Sequence, residues 1–138
     1  MIIEHSVYIG LGSNLGNRKE NLACAVRLIG ERVGKVLRVS SFIETEPWGF
    51  DSENRFLNGV LLCQTSLTPR QVLNATQAIE REMGRKKKST VGGYADRCID
   101  IDILLYDDLR VDEPDLQIPH PLMSERDFVM IPLREISD

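Results

Sequence analysis

Apolar and polar positions along the chain alternate between the periods of strands and helices. Residues 7–11 form an apolar run typical of a buried strand, and a loop rich in glycine, serine and asparagine follows over residues 12–17. A helix is predicted after this loop, because Asn17 is a good N-cap with Glu20 three residues later. Its apolar positions repeat at helical spacing as far as Gly34: Leu22, Val26, Ile29 and Val33.

The pattern then predicts two strands, a second helix and a last strand. Alternating apolar positions indicate a strand over residues 37–43, and a longer apolar run indicates another over residues 56–65. The second helix begins at Thr68 and Pro69, a capping residue followed by proline at the first helical position, and stops at Gly84. Its buried stripe consists of Val72, Thr76, Ile79 and Met83.

The order of these elements is strand, helix, strand, strand, helix, strand. This order predicts an α+β fold with a ferredoxin-like βαββαβ core, in which a mainly antiparallel sheet is covered by helices on one face. A chain of 138 residues with 42% hydrophobic and 28% charged residues is the right size for one domain with a modest core. We therefore expect residues 1–138 to form a single domain.

Composition narrows the classes of function. The net charge of -4 argues against nucleic acid as the main partner. Three cysteines far apart in sequence predict reduced thiols and a cytoplasmic protein: Cys24, Cys63 and Cys98. Since no apolar stretch reaches the roughly 18 residues of a membrane span, we expect no membrane association. Glu4 and His5 stand where a leader peptide would have basic residues and an apolar core, so we expect no leader peptide. We also expect a monomer.

A pair of acidic residues lies in the last predicted strand. Side chains alternate along a strand, so Asp100 and Asp102 share one face, with Cα atoms about 6.6 Å apart. Two such carboxylates can converge on metal ions that lie about 3.5–4 Å apart. Taken alone, the pair is more simply explained as solvated charge on the wet face of an antiparallel strand.

A basic loop over residues 85–96 precedes this strand. Its Arg85, Lys86, Lys87 and Lys88, with Arg97, supply the cations that phosphate oxygens need, while the aspartates suit Mg²⁺. A lysine-containing P-loop is missing, and the third glycine of residues 10–16 lies one place late for a dinucleotide-binding loop. The basic loop and the two aspartates together indicate a site for ATP with Mg²⁺, although neither feature indicates one by itself.

Other candidate residues are less specific by themselves. His120 lies between two prolines that stiffen its backbone, although a single histidine is more often structural. Gln77 and Glu80 are neighbours on a helix surface and could offer an amide and a carboxylate to one ligand, or could be ordinary exposed residues. Trp48 in a loop indicates a flat ligand or a lid.

The motifs together resemble those of the 6-hydroxymethyl-7,8-dihydropterin pyrophosphokinase family of folate biosynthesis. The strongest block is Arg97-x-x-Asp100-x-Asp102 followed by aliphatic residues. Seven further blocks occur in the same order over the chain, at residues 8–15, 40–47, 56–58, 77–80, 84–85, 119–121 and 126–133.

The resemblance implies an ATP-dependent pyrophosphokinase domain over residues 1–138. Such an enzyme transfers the β,γ-pyrophosphoryl group of ATP to 6-hydroxymethyl-7,8-dihydropterin and releases AMP. Asp100 and Asp102 would bind two Mg²⁺ ions that bridge the phosphates and the substrate hydroxyl, and Arg85 and Arg97 would stabilise the group in transfer.

The resemblance also implies two sets of substrate contacts. ATP would be bound by Gln77, Glu80, Arg85, Lys87, Tyr94, Arg97, Ile103, His120 and Arg126. The pterin would be bound by Thr45, Pro47, Trp48, Phe56, Asn58, Asp100 and Phe128, with the two phenylalanine rings on either side of the heterocycle.

This chain departs from the family pattern at several positions. Tyr94 stands where a tryptophan is usual, Lys87 stands near a usual arginine, and a lysine lacks the bidentate fork. Asp115 and Gln117 replace an arginine and a threonine that would contact ATP. We expect the loops over residues 46–55 and 85–96 to close as lids over bound substrates.

Two other functions fit the sequence less well. A D-x-D glycosyltransferase normally needs a larger nucleotide-binding domain. An RNA-binding module of this architecture would expose stacking aromatics on a basic sheet, whereas this sheet carries two aspartates on an acidic chain. Both are less favoured than the pyrophosphokinase.

Overall fold

The computed structural model describes residues 3–45, 55–84 and 98–137, and all structural statements below concern these residues. The strands are β1 (His5–Ser13), β2 (Lys35–Val39), β3 (Ile43–Thr45), β4 (Phe56–Thr65), β5 (Asp100–Tyr106), β6 (Val111–Glu113) and β7 (Leu116–Ile118). The helices are α1 (Arg18–Arg32), α2 (Pro69–Glu82) and α3 (Asp127–Ile136), and a single 3₁₀ turn covers Met123–Glu125.

The main sheet has the order β2-β4-β1-β5, with β3 also paired to β4. All of its pairings are antiparallel. In this order β1 lies between β4 and β5, and β5 forms one edge. This is the predicted ferredoxin-like arrangement, and the α+β fold is confirmed. The short strands β6 and β7 form a separate hairpin that the sequence pattern did not predict.

Helices α1 and α2 cover one face of the sheet. Their buried positions match the predicted stripes at Leu22, Ile29, Val72, Thr76 and Ile79. They pack against the apolar side chains of β1 and of β5, which lie on the same face. Burial of this face drives the packing of the helices, because apolar area removed from water contributes about 25 cal/mol per Å².

Both predicted N-caps are present. The Asn17 side chain accepts a hydrogen bond from the Glu20 amide at 3.1 Å. Thr68 does the same for the Gln71 amide at 3.2 Å, and the Gln71 side chain accepts from the Thr68 amide at 2.9 Å. Helix α2 thus begins with a complete capping box.

The prediction that helices cover only one face was wrong. Helix α3 packs on the opposite face through Val129, Leu133 and Ile136. Alternate residues of β4 and β5, such as Val60 and Leu104, are apolar and buried there. A sheet with apolar side chains on both faces needs cover on both sides, and α3 supplies it.

The single strand predicted over residues 37–43 is divided into β2 and β3. The register of β2 on β4 shifts between Val36 and Arg38. Val36 packs on the core, whereas Leu37 and Val39 are 44% and 42% exposed. A register shift changes which side chains face the core, so the alternation alone could not assign them.

The state of the cysteines agrees with the reduced thiols that the sequence predicts. All three cysteines are free thiols, with Cys63 buried and Cys24 and Cys98 partly buried. Burial raises the pKa of the Cys63 thiol to about 11, so this group stays protonated at neutral pH. Of the helices in the described ranges, none has the length and apolar character needed to cross a bilayer.

Replacing the α2 cap should destabilise the fold. We expect Thr68→Ala to lower the free energy of unfolding by about 1 kcal/mol, because the Gln71 amide loses its partner, the Thr68 hydroxyl. Chemical denaturation of Thr68→Ala and of the control Thr68→Ser, which keeps the hydroxyl, measures this difference. Equal stability of the wild type and Thr68→Ala would contradict the role of the cap.

Candidate active site

Asp100 and Asp102 lie on one face of β5, as predicted. Both are partly exposed, while the alternating Ile99, Ile101 and Ile103 are buried in the core. On the neighbouring strand β1, Gly12 lies opposite Asp100 and Gly10 lies opposite Asp102. Since glycine has no side chain, the sheet surface beside the two carboxylates is left open to a ligand.

A small cavity lies over this glycine surface. Its walls bring both aspartates together with three other predicted residues, Asn58, Arg126 and Phe128. Arg126 is only 9% exposed, and its guanidinium carbon lies 5.6 Å from the centre of the Phe128 ring. An arginine over a ring face is a favourable contact, so these two side chains support each other.

A larger cavity of about 260 Å³ lies on the other side of Asp102. It is lined by Ile103 and His120, both predicted, and by the turn of the β6–β7 hairpin. Leu73 of α2 completes one wall. Asp102 therefore borders both cavities, and a ligand group bound to its carboxylate can be reached from either one.

The outer edge of β5 is held by two contacts. The buried carboxylate of Glu80, on α2, accepts a hydrogen bond from the Ile101 amide at 2.8 Å. The register of β5 on β1 skips Leu104, and the carbonyl of Leu104 accepts a hydrogen bond from the His120 amide at 3.0 Å. Glu80, predicted on the nucleotide side, thus fixes the peptide between the two aspartates.

The electrostatic environment of His120 favours the neutral imidazole. Burial of the half-buried ring lowers its pKa from the ordinary value of 6.5, and the nearby positive charge of Arg126 lowers it further. The carboxylate of Asp100 acts in the opposite direction. A neutral imidazole at pH 7 can still donate one hydrogen bond to a ligand.

On the other side of the aspartates, a polar contact fixes Asn58. Its buried side-chain amide donates a hydrogen bond to the Thr45 hydroxyl at 2.7 Å. A Cβ added to Gly12 would lie 2.6 Å from the Asn58 amide oxygen and 3.4 Å from the Phe56 ring. Gly12 is therefore required for the close approach of Asn58 and Phe56 to the sheet.

The structure brings most of the described candidates to the two cavities or beside them. Gln77 is an exception, since it is exposed on α2 and lines neither cavity. Six candidates lie outside the described residues: Pro47, Trp48, Arg85, Lys87, Tyr94 and Arg97. The predicted lids also fall there, except for Arg55 at the start of β4.

The sequence pattern missed the contribution of the β6–β7 hairpin. Residues 114–117 line the larger cavity, and Asp115 of this turn is ion-paired to Arg70 on α2. The only signal was the departure at Asp115 and Gln117 from the family pattern. The strands of the hairpin have three residues each and are too short for periodicity to reveal.

The fold and site together define a class, that of small α+β enzymes that transfer phosphoryl groups between small molecules. The family model for 7,8-dihydro-6-hydroxymethylpterin-pyrophosphokinase (HPPK) matches residues 8–138, and the chain belongs to this family. It is therefore an ATP-dependent diphosphotransferase that acts on 6-hydroxymethyl-7,8-dihydropterin in folate biosynthesis. Membership decides against the glycosyltransferase and the RNA-binding module.

Curated relatives are similar over nearly the whole chain. The 2-amino-4-hydroxy-6-hydroxymethyldihydropteridine pyrophosphokinase of Porphyromonas gingivalis is 51% identical over 132 residues, which are 95% of this chain and 90% of that protein. The enzyme of the same name from Aquifex aeolicus is 40% identical over 131 residues, 95% of this chain and 79% of that protein.

Solved structures show the same fold. A crystal structure of Plasmodium falciparum HPPK-DHPS with SDX-DHP has a TM-score of 0.79 and 16% identity, covering 99% of this chain. The chain spans 42% of that longer protein, so the similarity concerns one part of it. At this level of identity it supports the fold alone.

Adding a methyl group at Gly12 should displace Asn58. We expect Gly12→Ala to lower kcat/KM for the pterin by roughly 10-fold or more, since misplacement of a positioning residue is costly. Steady-state kinetics with the matched control Gly30→Ala measures this, because a Cβ at Gly30 would lie 3.8 Å from Val36, an ordinary contact. Equal losses in both variants would contradict the proposed close approach.

The lowered pKa of His120 predicts a pH-dependent stability. The folded state favours the neutral ring, so its contribution is present above pH 6.5, the ordinary pKa, and is lost as the pH falls below it. Between pH 7 and pH 5, we expect the free energy of unfolding to fall more steeply in the wild type than in His120→Gln. Parallel pH profiles from urea denaturation would refute this.

Proposed function

We propose that Asp100 and Asp102 anchor two Mg²⁺ ions between the substrates, with ATP in the larger cavity and the pterin on the Asn58 side. The observation that carries this proposal is the position of Asp102, which borders both cavities. Pyrophosphoryl transfer needs the hydroxyl of one substrate in line with a phosphorus of the other. A shared carboxylate between two cavities is where those groups would meet.

The donor atoms at the site suit magnesium. Carboxylate oxygens are hard ligands, and Mg²⁺ is usually bound by one or two carboxylates with phosphate oxygens and water in the remaining positions. Within residues 3–45, 55–84 and 98–137, no cluster of three or more His, Cys, Asp or Glu side chains could enclose a metal by itself. When bound, Mg²⁺ would neutralise phosphate charge and activate the attacking hydroxyl.

On the nucleotide side, the chain offers hydrogen-bond donors rather than a P-loop. We assign His120 of the larger cavity, and Arg126 of the small cavity beside the two aspartates, to the phosphates, because a neutral imidazole and a buried guanidinium can both donate. Ile103 lies in the wall of the larger cavity and would contact the nucleoside. Gln77, Glu80, Arg85, Lys87, Tyr94 and Arg97 complete the proposed ATP-binding set.

On the pterin side, the chain offers flat surfaces and one fixed amide. Phe128 lines the small cavity, and Phe56 lies beside Gly12 on the neighbouring strand. Two aromatic rings can stack on a flat heterocycle. Because the Asn58 amide is already fixed by Thr45, its oxygen is pre-oriented to accept from the pterin edge. Pro47, Trp48 and Asp100 complete the proposed set.

We further propose that residues 1–138 act as one pyrophosphokinase domain, as a monomer in the cytoplasm. Both substrates are small molecules, and the two cavities described are formed by residues of one chain. The net charge of -4 is consistent with the absence of a nucleic-acid partner.

Neutralising either aspartate should abolish transfer. We expect Asp100→Asn and Asp102→Asn each to lower kcat by roughly 1000-fold, since each removes a proposed metal ligand. AMP formation with Mg²⁺, ATP and the reduced pterin measures turnover. The control is Asp108→Asn, an exposed aspartate just after β5. Release of ADP instead of AMP, or full activity of both site variants, would overturn the proposal.

A further inference from the structure

We propose that Arg70 is a positioning residue of the nucleotide site, which shields ATP from the carboxylate of Asp115 at the wall of the larger cavity and from that of Glu113 nearby on the same hairpin. The inference rests on the proposed function, because it places the triphosphate in that cavity. It extends the site to a residue of α2 that approaches the cavity only through the β6–β7 hairpin.

The contacts of Arg70 are unusually complete for a partly exposed side chain. Its two terminal nitrogens donate to the two carboxylate oxygens of Asp115 at 2.7 and 2.9 Å, a bidentate pair. One of these nitrogens also pairs with Glu113. One cation thus pairs with two anions that lie two residues apart on the hairpin and cancels one of their two negative charges.

Of these anions, Asp115 lies at the cavity itself, and Glu113 lies two residues before it on the hairpin. Asp115 itself lines the cavity, with Pro114, Leu116 and Gln117 beside it and Asp102 and His120 elsewhere in the same lining. On α2, Leu73 lies one turn after Arg70, so the two share a helix face, and Leu73 lines the cavity as well. Arg70 is therefore directed toward the hairpin and the cavity wall.

Unshielded, these carboxylates would oppose the binding of ATP. Hydrogen bonding to Arg70 holds the pKa of Asp115 below its ordinary value of 3.8, and without Arg70 a carboxyl group with that ordinary pKa would still be ionised at neutral pH. A triphosphate would then meet two anions in addition to the aspartates of β5. Because the groups are partly exposed and solvent screens them, the expected effect is moderate and depends on salt.

Two roles of Arg70 make opposite predictions. If Arg70 only clamps the hairpin to α2, removing the two carboxylates should damage the site as much as removing Arg70. If Arg70 shields ATP, removing the carboxylates should leave binding intact and should suppress the effect of Arg70→Ala. The variant Arg70→Lys also distinguishes the clamping role from the shielding role, because it keeps the positive charge but loses the bidentate geometry.

The experiment measures the Kd of α,β-methylene ATP with Mg²⁺ by calorimetry in low and high salt. The variants are Arg70→Ala, Arg70→Lys, Glu113→Gln/Asp115→Asn and the triple variant that combines Arg70→Ala with the two neutral substitutions. The control is Arg27→Ala, which breaks an exposed Arg27–Glu31 pair on α1. Thermal unfolding monitors the fold of each variant.

We expect Arg70→Ala to weaken binding about 5-fold at low salt and less at high salt. The triple variant, Arg70→Lys and Arg27→Ala should stay within about twofold of the wild type, and pterin affinity should not change. A triple variant as weak as Arg70→Ala, or an Arg70→Ala with unchanged affinity, would overturn the proposal. The turnover of Asp100→Asn and Asp102→Asn tests the proposed function separately, since this binding assay requires no turnover.

Discussion

The hydrogen bond from the Ile101 amide to Glu80 is the contact on which the site depends. Strand β5 lies at the edge of the main sheet, so within the described part of the chain one side of its backbone has no neighbouring strand in that sheet. A buried carboxylate on α2 satisfies the amide between the two aspartates and fixes that peptide against the helix. This bond satisfies an amide at the edge of the sheet and holds the Ile101 peptide, which lies between the two aspartates, against α2.

Around β5, the positions of individual charged groups matter more than the net charge of the chain. The chain is acidic, yet its co-substrate ATP is an anion, and we propose that ATP binds beside two aspartates. Arg126 is buried over Phe128 next to these aspartates, and His120 is kept neutral by burial and by Arg126. Local placement of a few groups in a partly dehydrated site outweighs the overall charge, because exposed distant charges are screened.

The sequence predicted the long, periodic elements and missed the short or interrupted ones. Strands β1, β4 and β5 and helices α1 and α2 have clear periods and, for the helices, clear caps. Helix α3 was not predicted because Pro132 lies inside it, and proline normally ends a helical pattern. The exposure of Leu37 and Val39 was also not predicted, because it follows from a shift in the register of β2 on β4.

The sequence by itself determined that Asp100 and Asp102 share a face, because alternation along a strand is a property of the backbone. It also determined the caps, which are contacts between residues three apart. Only the tertiary structure decided that Asp102 borders two cavities, that Glu80 holds Ile101 and that Arg70 pairs with Asp115. These partners are 21 and 45 residues apart, and such contacts depend on how the helices pack on the sheet rather than on any local pattern.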